Sequence, residues 1–217
     1  MQAIETPRLV LRNFRPDDWQ AVQELSVAYA ASEISQYDQE WPTSREEVVR
    51  MVEWLASGDD FLAACLKDTG RLIGLVAVQR RKEQEGRVHG LGYVFHPTYH
   101  GHGYATEACR AAIDHLFGEL EADRVESNTA AVNEPSCRLL RRLGMVEVGR
   151  HTASFRKAED GTPIEFEAVS FAMSREAWAR LAARQVSTTT LHRSLTEPEA
   201  GILRRGSAIR PFGNSLL

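Results

Sequence analysis

A strand that runs directly into a glycine-containing turn, and then into a helix, is the feature that most constrains this chain. The segment extends from Tyr93 to Ala112, and its turn contains Gly101 and Gly103. The first backbone N–H groups of a helix lack partners within the helix, and the helix dipole makes that end positive. Because glycines let an anion approach the backbone closely, the pattern predicts a phosphate-binding turn.

The turn does not fit the usual nucleotide-binding motifs. A P-loop would continue with Gly-Lys-Ser/Thr, whereas Gly103 is followed by Tyr104-Ala105-Thr106. A dinucleotide fingerprint would need a third glycine and an acidic residue after a second strand, and neither is present. The alternative for the bare motif is a tight turn that binds no ligand.

The order of the predicted elements indicates a mixed α/β domain. Alternating apolar residues predict strands at 8–12, 61–67, 71–79, 88–95, 124–129, 145–155 and 164–173. Helical spacing predicts helices at 15–30, 43–55, 104–117, 134–143 and 175–183. This is a sheet flanked by helices and not a regular βαβ repeat. Residues 1–183 are therefore expected to form one domain, and residues 184–217, where Ser, Thr, Arg, Gly and Pro interrupt any period, an irregular or partner-docking extension.

Composition sets the expected compartment and the partners. The net charge of −4 excludes a general attraction to nucleic acid or to an anionic membrane. The three scattered cysteines suit a reducing compartment, the first residues lack a signal-peptide pattern, and no apolar run could cross a bilayer. We therefore expect a soluble cytoplasmic protein with no nucleic-acid or membrane partner.

A second segment narrows the nature of the phosphate compound. Asn133 and Ser136 are followed by a Leu-Leu-x-x-Leu-Gly-Met run that ends at Met145. Together with the opening segment Glu5–Arg12 and the glycine turn, this segment resembles the GNAT acyl-CoA N-acetyltransferases, and within them the RimJ/RimL type that acts on ribosomal proteins. His100-x-x-Gly103-x-Ala105 matches the family's Gln/Arg-x-x-Gly-x-Gly/Ala loop except at its first position.

The resemblance implies the GNAT fold, with a mixed and mostly antiparallel central sheet, and acetyl-CoA as the co-substrate. Backbone N–H groups of residues 102–106 would hold the pyrophosphate. The pantetheine arm would lie along the strand that ends at Phe95. The implied cofactor-binding residues are Tyr93, Val94, Phe95, His100, Gly101, His102, Gly103, Tyr104, Ala105, Thr106, Asn133 and Ser136.

The resemblance also supplies candidates for proton transfer. Ser136 matches a serine proposed as the general acid of the RimL-like branch, although Asn133 and Ser136 also suit a helix cap. The branch usually carries a glutamate where this chain has Gly90. Neighbouring His89, Glu165 on the penultimate strand, or an ordered water are the candidates for the base.

Four histidines near the turn raise the question of a metal site: His89, His96, His100 and His102. No cysteine lies nearby, and the same backbone must hold phosphates, so we predict no metal. Tyr37 and Trp41 are expected to line the rim of the acceptor pocket.

The predicted activity is direct acetyl transfer to a primary amine, which would be a protein N-terminus or a small molecule such as an antibiotic. A non-catalytic acyl-CoA-binding sensor on the same fold is the alternative. A homodimer is possible.

Overall fold

A computed structural model describes the backbone of residues 2–194 and the side chains of residues 2–184. Of the predicted irregular extension, residues 195–217 lie outside the described residues. The chain divides into one unit over Met1–Leu181 and a second over Ala182–Leu217.

Nine strands and five α-helices make up the described part of the chain. The strands are β1 (Ile4–Glu5), β2 (Leu9–Asn13), β3 (Phe61–Leu66), β4 (Leu72–Ala77), β5 (Val88–Gly90), β6 (Gly92–Phe95), β7 (Arg124–Ala130), β8 (Val146–Ala153) and β9 (Phe166–Ser174). The α-helices are α1 (Trp19–Ala30), α2 (Arg45–Ala56), α3 (Tyr104–Gly118), α4 (Glu134–Leu143) and α5 (Arg175–Ser194). Short 3₁₀ turns occupy Pro16–Asp18, Glu33–Tyr37 and Pro97–Tyr99.

The strands form two sheets. One is antiparallel with the order β1-β2-β3-β4-β6, and the other has the order β5-β7-β9-β8. Of the strand pairs described between residues 2 and 194, only β5–β7 is parallel. The predicted mixed, mostly antiparallel sheet flanked by helices is therefore confirmed.

The predicted strand at 88–95 is interrupted at Leu91. Its first part, β5, pairs with β7, whereas its second part, β6, pairs with β4. The same stretch of chain thus contributes one edge strand to each sheet. Alternation of apolar residues gave no signal for this break, because Leu91 is itself buried in the core.

Helices cover the sheets unequally. The largest core cluster joins α3 and α4 to both sheets. It includes Phe117 of α3, Leu62 of the five-stranded sheet and Phe171 of the four-stranded sheet. A second cluster joins α1 and α2, through residues such as Val22 and Val52, to the five-stranded sheet. The first sheet therefore has helices on both faces.

Local signals fix the ends of α2 and α4. The Ser44 hydroxyl accepts a hydrogen bond from the Glu47 N–H at 3.4 Å and begins α2. Gly144, with φ of +92°, ends α4 in the left-handed conformation. A Cβ at Gly144 would collide with Leu181, so close packing also requires glycine here.

The last helix is longer than the sequence suggested. We predicted its end near Ala183, but α5 continues to Ser194. Ser and Thr are weak helix formers, but they do not break a helix. Between Arg175 and Pro198 there is no glycine or proline to end it. None of the helices described between residues 2 and 194 has the length and apolar composition of a membrane span.

Candidate active site

The turn before α3 presents unpaired backbone donors. Gly101 and Gly103 have φ of +80° and +81°, and Gly103 is the N-cap residue of the 15-residue helix. Glu107 is the first residue whose N–H has a helical partner, the Gly103 carbonyl at 3.0 Å. Within residues 2–194, no acceptor is found for the N–H groups of residues 101–106. Such a group of donors at the positive end of a helix can bind an anion.

Residues just before β2 hold this turn in place through Glu107 of α3. Glu107 Oε1 accepts from the Thr6 hydroxyl at 2.7 Å and from the Arg8 N–H at 2.8 Å, and Glu107 Oε2 accepts from Arg8 Nε at 2.6 Å. Arg8 Nη1 donates to the His102 carbonyl at 2.9 Å, and its guanidinium lies 4.5 Å from the centre of the Tyr104 ring. We call Thr6, Arg8 and Glu107 the loop clamp.

The electrostatics of the loop clamp favour the ionised carboxylate. Burial would by itself raise the pKa of Glu107. The hydrogen bonds from Thr6 and Arg8, together with the Arg8 charge, outweigh that effect and hold the pKa below its usual value. Our sequence reasoning used Glu5–Arg12 only as a family signature and missed this role, because the contact spans about a hundred residues of sequence.

The histidines of the turn bind neighbouring backbone groups. His100 Nε2 lies 2.8 Å from the Phe95 carbonyl, and His102 Nδ1 lies 2.8 Å from the His100 carbonyl. A carbonyl only accepts, so each of these nitrogens carries its proton. His96 Nδ1 accepts from the Thr98 N–H at 3.3 Å. Among the side chains of residues 2–184 no group of three or more His, Cys, Asp or Glu is arranged to hold a metal, and the absence of a metal stays a prediction.

A cleft opens where the two sheets separate. The Leu91 N–H donates to the Glu126 carbonyl at 2.7 Å, and β5 pairs with β7 only as far as Glu126. Beyond this point β6 pairs only with β4, and the second half of β7 pairs only with β9. An edge strand has one row of unpaired N–H and C=O groups, to which an extended ligand with amide groups can bind.

Two hydroxyl groups meet beside this cleft. The Tyr93 and Ser136 hydroxyl oxygens lie 2.8 Å apart. Asn133 Oδ1 accepts from the Ser136 N–H at 3.2 Å, so the predicted helix cap is present and leaves the Ser136 hydroxyl available. Burial raises the pKa of Tyr93, which therefore stays neutral and able to donate. Sequence reasoning assigned Tyr93 only a backbone role.

The two predicted base candidates lie apart from this pair. His89 is buried, and its Nδ1 lies 3.2 Å from the Val78 carbonyl. Glu165 is exposed just before β9. No contact joins His89 or Glu165 to Ser136 among the described side chains.

Aromatic residues gather near the end of β7. Tyr37 and Phe155 pack on Phe166, with ring centres 5.3 and 5.8 Å apart. Phe166 and Tyr37 belong to one cluster with Ala130, whose carbonyl accepts from the Asn133 N–H at 2.9 Å. Tyr37 therefore lies near the segment that carries Ser136, and its place on the rim of an acceptor pocket stays a prediction. Trp41 instead packs on Tyr29 at 5.0 Å.

A comparison with models of protein families identifies the family to which this chain belongs. The model of the acetyltransferase (GNAT) domain matches residues 8–146, which include Arg8 and Glu107 of the loop clamp, the glycine turn and the Asn133–Ser136 segment. The chain belongs to the GNAT acetyltransferase family. It is thus an acetyltransferase, as predicted, and the acetyl donor of the family is acetyl-CoA.

Individual relatives agree with this assignment. The uncharacterized N-acetyltransferase YnaD of Bacillus subtilis is 30% identical over 148 residues, which cover 67% of this chain and 84% of YnaD. A GNAT-family acetyltransferase from Bacillus anthracis has a similar structure, with a TM-score of 0.69, 24% identity, and coverage of 81% of this chain and 99% of that one.

The predicted RimJ/RimL-like branch is also represented. RimL, a ribosomal L7/L12 alpha-N-protein acetyltransferase solved in complex with coenzyme A, has a TM-score of 0.63 and 18% identity, and the match covers 81% of this chain and 99% of RimL. This similarity concerns the fold.

Proposed function

We propose that this GNAT enzyme transfers the acetyl group of acetyl-CoA directly to a primary amine, either a protein N-terminus or a small molecule. The observation that carries the proposal is the cleft between β6 and β7. The α3 turn, whose N–H groups are unpaired, follows β6 along the chain, and Tyr93 of β6 makes the hydroxyl contact with Ser136 at the start of α4.

The chain's own groups suit coenzyme A. The N–H groups of residues 102–106 would hold the pyrophosphate, where negative charge is favoured by the helix dipole. The edge of β6, Gly92–Phe95, would pair with the amides of the pantetheine arm. The Asn133 side chain, which caps α4, would hydrogen-bond the arm.

The reaction forms a bond between the amine nitrogen and the acetyl carbon and breaks the bond between that carbon and sulfur. A backbone N–H at the end of the cofactor strand would stabilise the negative charge that develops on the carbonyl oxygen. The Ser136 hydroxyl would give its proton to the leaving thiolate, and Tyr93 is placed to hold that hydroxyl in position.

The amine must also lose a proton. Exposed Glu165 is better placed than His89 to receive it through water, because His89 is buried and its Nδ1 donates to a carbonyl. A candidate base needs access to the proton that it accepts. We therefore propose that an ordered water accepts the proton and that exposed Glu165 is the candidate to receive it from that water.

Gly90 supports the alternative of a non-catalytic acyl-CoA sensor. The branch's usual strand carboxylate is absent there. The two functions differ in whether bound acetyl-CoA is consumed.

A thiol titration separates them. The protein is mixed with acetyl-CoA and a panel of amines that includes peptide N-termini, polyamines and aminoglycosides, and free thiol is measured. Release of thiol that depends on one class of amine supports the transferase. Saturable binding of acetyl-CoA without thiol release across the panel would establish the sensor.

A further inference from the structure

The space beside Gly90 is occupied by a guanidinium group. A Cβ built on buried Gly90 would lie 2.8 Å from Arg81 Nη2 and 2.9 Å from Arg81 Cζ and Nε. Such distances are too short for a carbon, so glycine is what allows Arg81 to reach this position. The chain therefore has a cation where its branch usually has a carboxylate.

The Arg81 guanidinium lies beside the point where β6 and β7 begin to separate. Gly90 is the last residue of β5 and pairs with Glu126 of β7. The next residue, Leu91, makes the backbone bond to Glu126 after which the sheets separate. Under the proposed function, the acetyl group at the end of the pantetheine arm would reach this region.

Gly90 and Arg81 lie on the face away from α3. Val125 is buried in the core shared with α3, and neighbouring Glu126 points to the opposite face because side chains alternate along a strand. Paired residues of adjacent strands share a face, so Gly90 lies on the Glu126 side. The cofactor turn begins α3, which leaves the opposite face for the acceptor.

The carboxylate on this face is paired with other residues, which leaves Arg81 free to bind a ligand. The Glu126 carboxylate is paired with Arg124 Nε at 2.9 Å and accepts from Gln84 Nε2 at 3.2 Å. The half-buried Arg81 guanidinium has no hydrogen-bond or ion-pair partner among the side chains of residues 2–184. A groove of about 350 Å³ continues from Glu126 along this face and is lined by Arg124, Arg150 and His151 among others.

We propose that Arg81 forms an anion subsite for the acceptor, so that the preferred amine carries a carboxylate or phosphate group. This inference rests on the proposed function. A guanidinium binds such groups through paired, charge-assisted hydrogen bonds. A guanidinium has N–H donors and no acceptor, so Arg81 cannot accept the proton of the amine. Arg81 therefore selects the acceptor, and water removes the proton.

The experiment compares matched acceptors. Each pair has the same amine with and without the anionic group: amino acids and their amides, phosphoethanolamine and ethanolamine, and peptides with Asp or Asn as second residue. These pairs show whether the anion is the carboxylate of a free amino acid, a phosphate group or an acidic side chain of a peptide. Neighbouring Arg80 is the control, since it is exposed and donates to the Gly86 carbonyl at 2.8 Å.

Arg81→Gln should lower kcat/KM for the anionic members by about 10- to 100-fold. The neutral members, and the KM for acetyl-CoA, should be unchanged. Gly90→Ala, which displaces the guanidinium and keeps its charge, should lower the same anionic preference, and Arg80→Gln should leave it intact. An equal loss on both members of each pair, or no preference in the wild type, would overturn the proposal.

A binding measurement separates this proposal from the proposed function. The same acceptor pairs are titrated calorimetrically into protein saturated with coenzyme A. If the wild type transfers no acetyl group to any amine, the proposed function fails, and tighter binding of the anionic members that is lost in Arg81→Gln would still establish the subsite. Equal binding of both members would refute it.

Discussion

The two ends of the cleft are built differently. At the cofactor end, the carboxylate of Glu107 accepts hydrogen bonds from both Thr6 and Arg8, and Arg8 also binds the turn itself. At the proposed acceptor end, the candidates are exposed Glu165 and half-buried Arg81, which belong to separate segments and whose side chains have no fixed partner among residues 2–184. A cofactor that a whole family shares can be bound by a rigid site, whereas the choice of acceptor depends on loops that differ between relatives. The difference predicts that substitutions at the two ends affect separate kinetic constants.

The largest expected effect is on turnover, at Ser136. Ser136→Ala removes the proposed general acid while the cap on its N–H remains, so kcat should fall by about 100-fold or more with acetyl-CoA affinity nearly unchanged. Steady-state kinetics at saturating substrates measure this effect. Ser57→Ala, at the exposed end of α2, is the control. An unchanged kcat would mean that Ser136 serves only as part of the helix cap.

The next largest effect is on acetyl-CoA binding, at Gly103. A valine there would be forced into a left-handed conformation and would cover the open N–H groups, so the dissociation constant for acetyl-CoA should rise by about 10- to 100-fold. Isothermal titration calorimetry gives this constant. Gly149→Val is the control, because Gly149 has open space around it and an ordinary φ. Equal affinities of the two variants would contradict the phosphate role of the turn.

Glu107→Gln should have a smaller effect that extends to stability. Loss of the charged partner of Arg8 should weaken acetyl-CoA binding by about 10-fold and lower the free energy of unfolding by about 1–3 kcal/mol. Denaturant unfolding and calorimetry measure the two quantities. The exposed pair Arg71–Glu24 supplies the control Glu24→Gln, which should change neither.

The same carboxylate predicts a pH dependence. Because the pKa of Glu107 is lower in the folded protein than its usual 4.5, its contribution to stability is present above that value and is lost as the pH falls through the folded pKa. The stability difference between wild type and Glu107→Gln should therefore shrink below about pH 4.5. A difference that stays constant down to pH 3 would exclude this linkage.

Tyr93→Phe should produce the smallest change. It keeps the packed ring and removes the hydroxyl that lies 2.8 Å from Ser136, so kcat should fall by about 3- to 10-fold. In the Ser136→Ala background the same change should have no further effect, since the two hydroxyls act as a unit. Additive losses would show that Tyr93 acts independently of Ser136.

The parts of this molecule that could be predicted from its sequence are those that depend on local interactions. The start of α3 after Gly103 and the end of α4 at Gly144 follow from backbone conformation and capping within a few residues. The break at Leu91 could not be predicted, because residues 79–81, which follow β4, still bond to 88–90, and the break arises only where β7 stops pairing with this stretch.

Long-range contacts limited the prediction of the site in the same way. The bonds of Thr6 and Arg8 to Glu107 join segments whose relative positions are set only by the fold. Arg81 and Gly90 lie close in sequence on paired segments, but the sequence pattern did not predict that pairing. Glycine at position 90 suggested a missing base. It did not show that a cation occupies the space beside it.

A single-turnover experiment tests direct transfer most directly. Protein is loaded with a limiting amount of isotopically labelled acetyl-CoA, an active amine is added, and thiol, labelled amine and labelled protein are quantified together over time. Our account predicts that one thiol appears for each acetylated amine and that the protein never carries the label. Labelled protein that forms before the product, or thiol release without an acetylated amine, would contradict it.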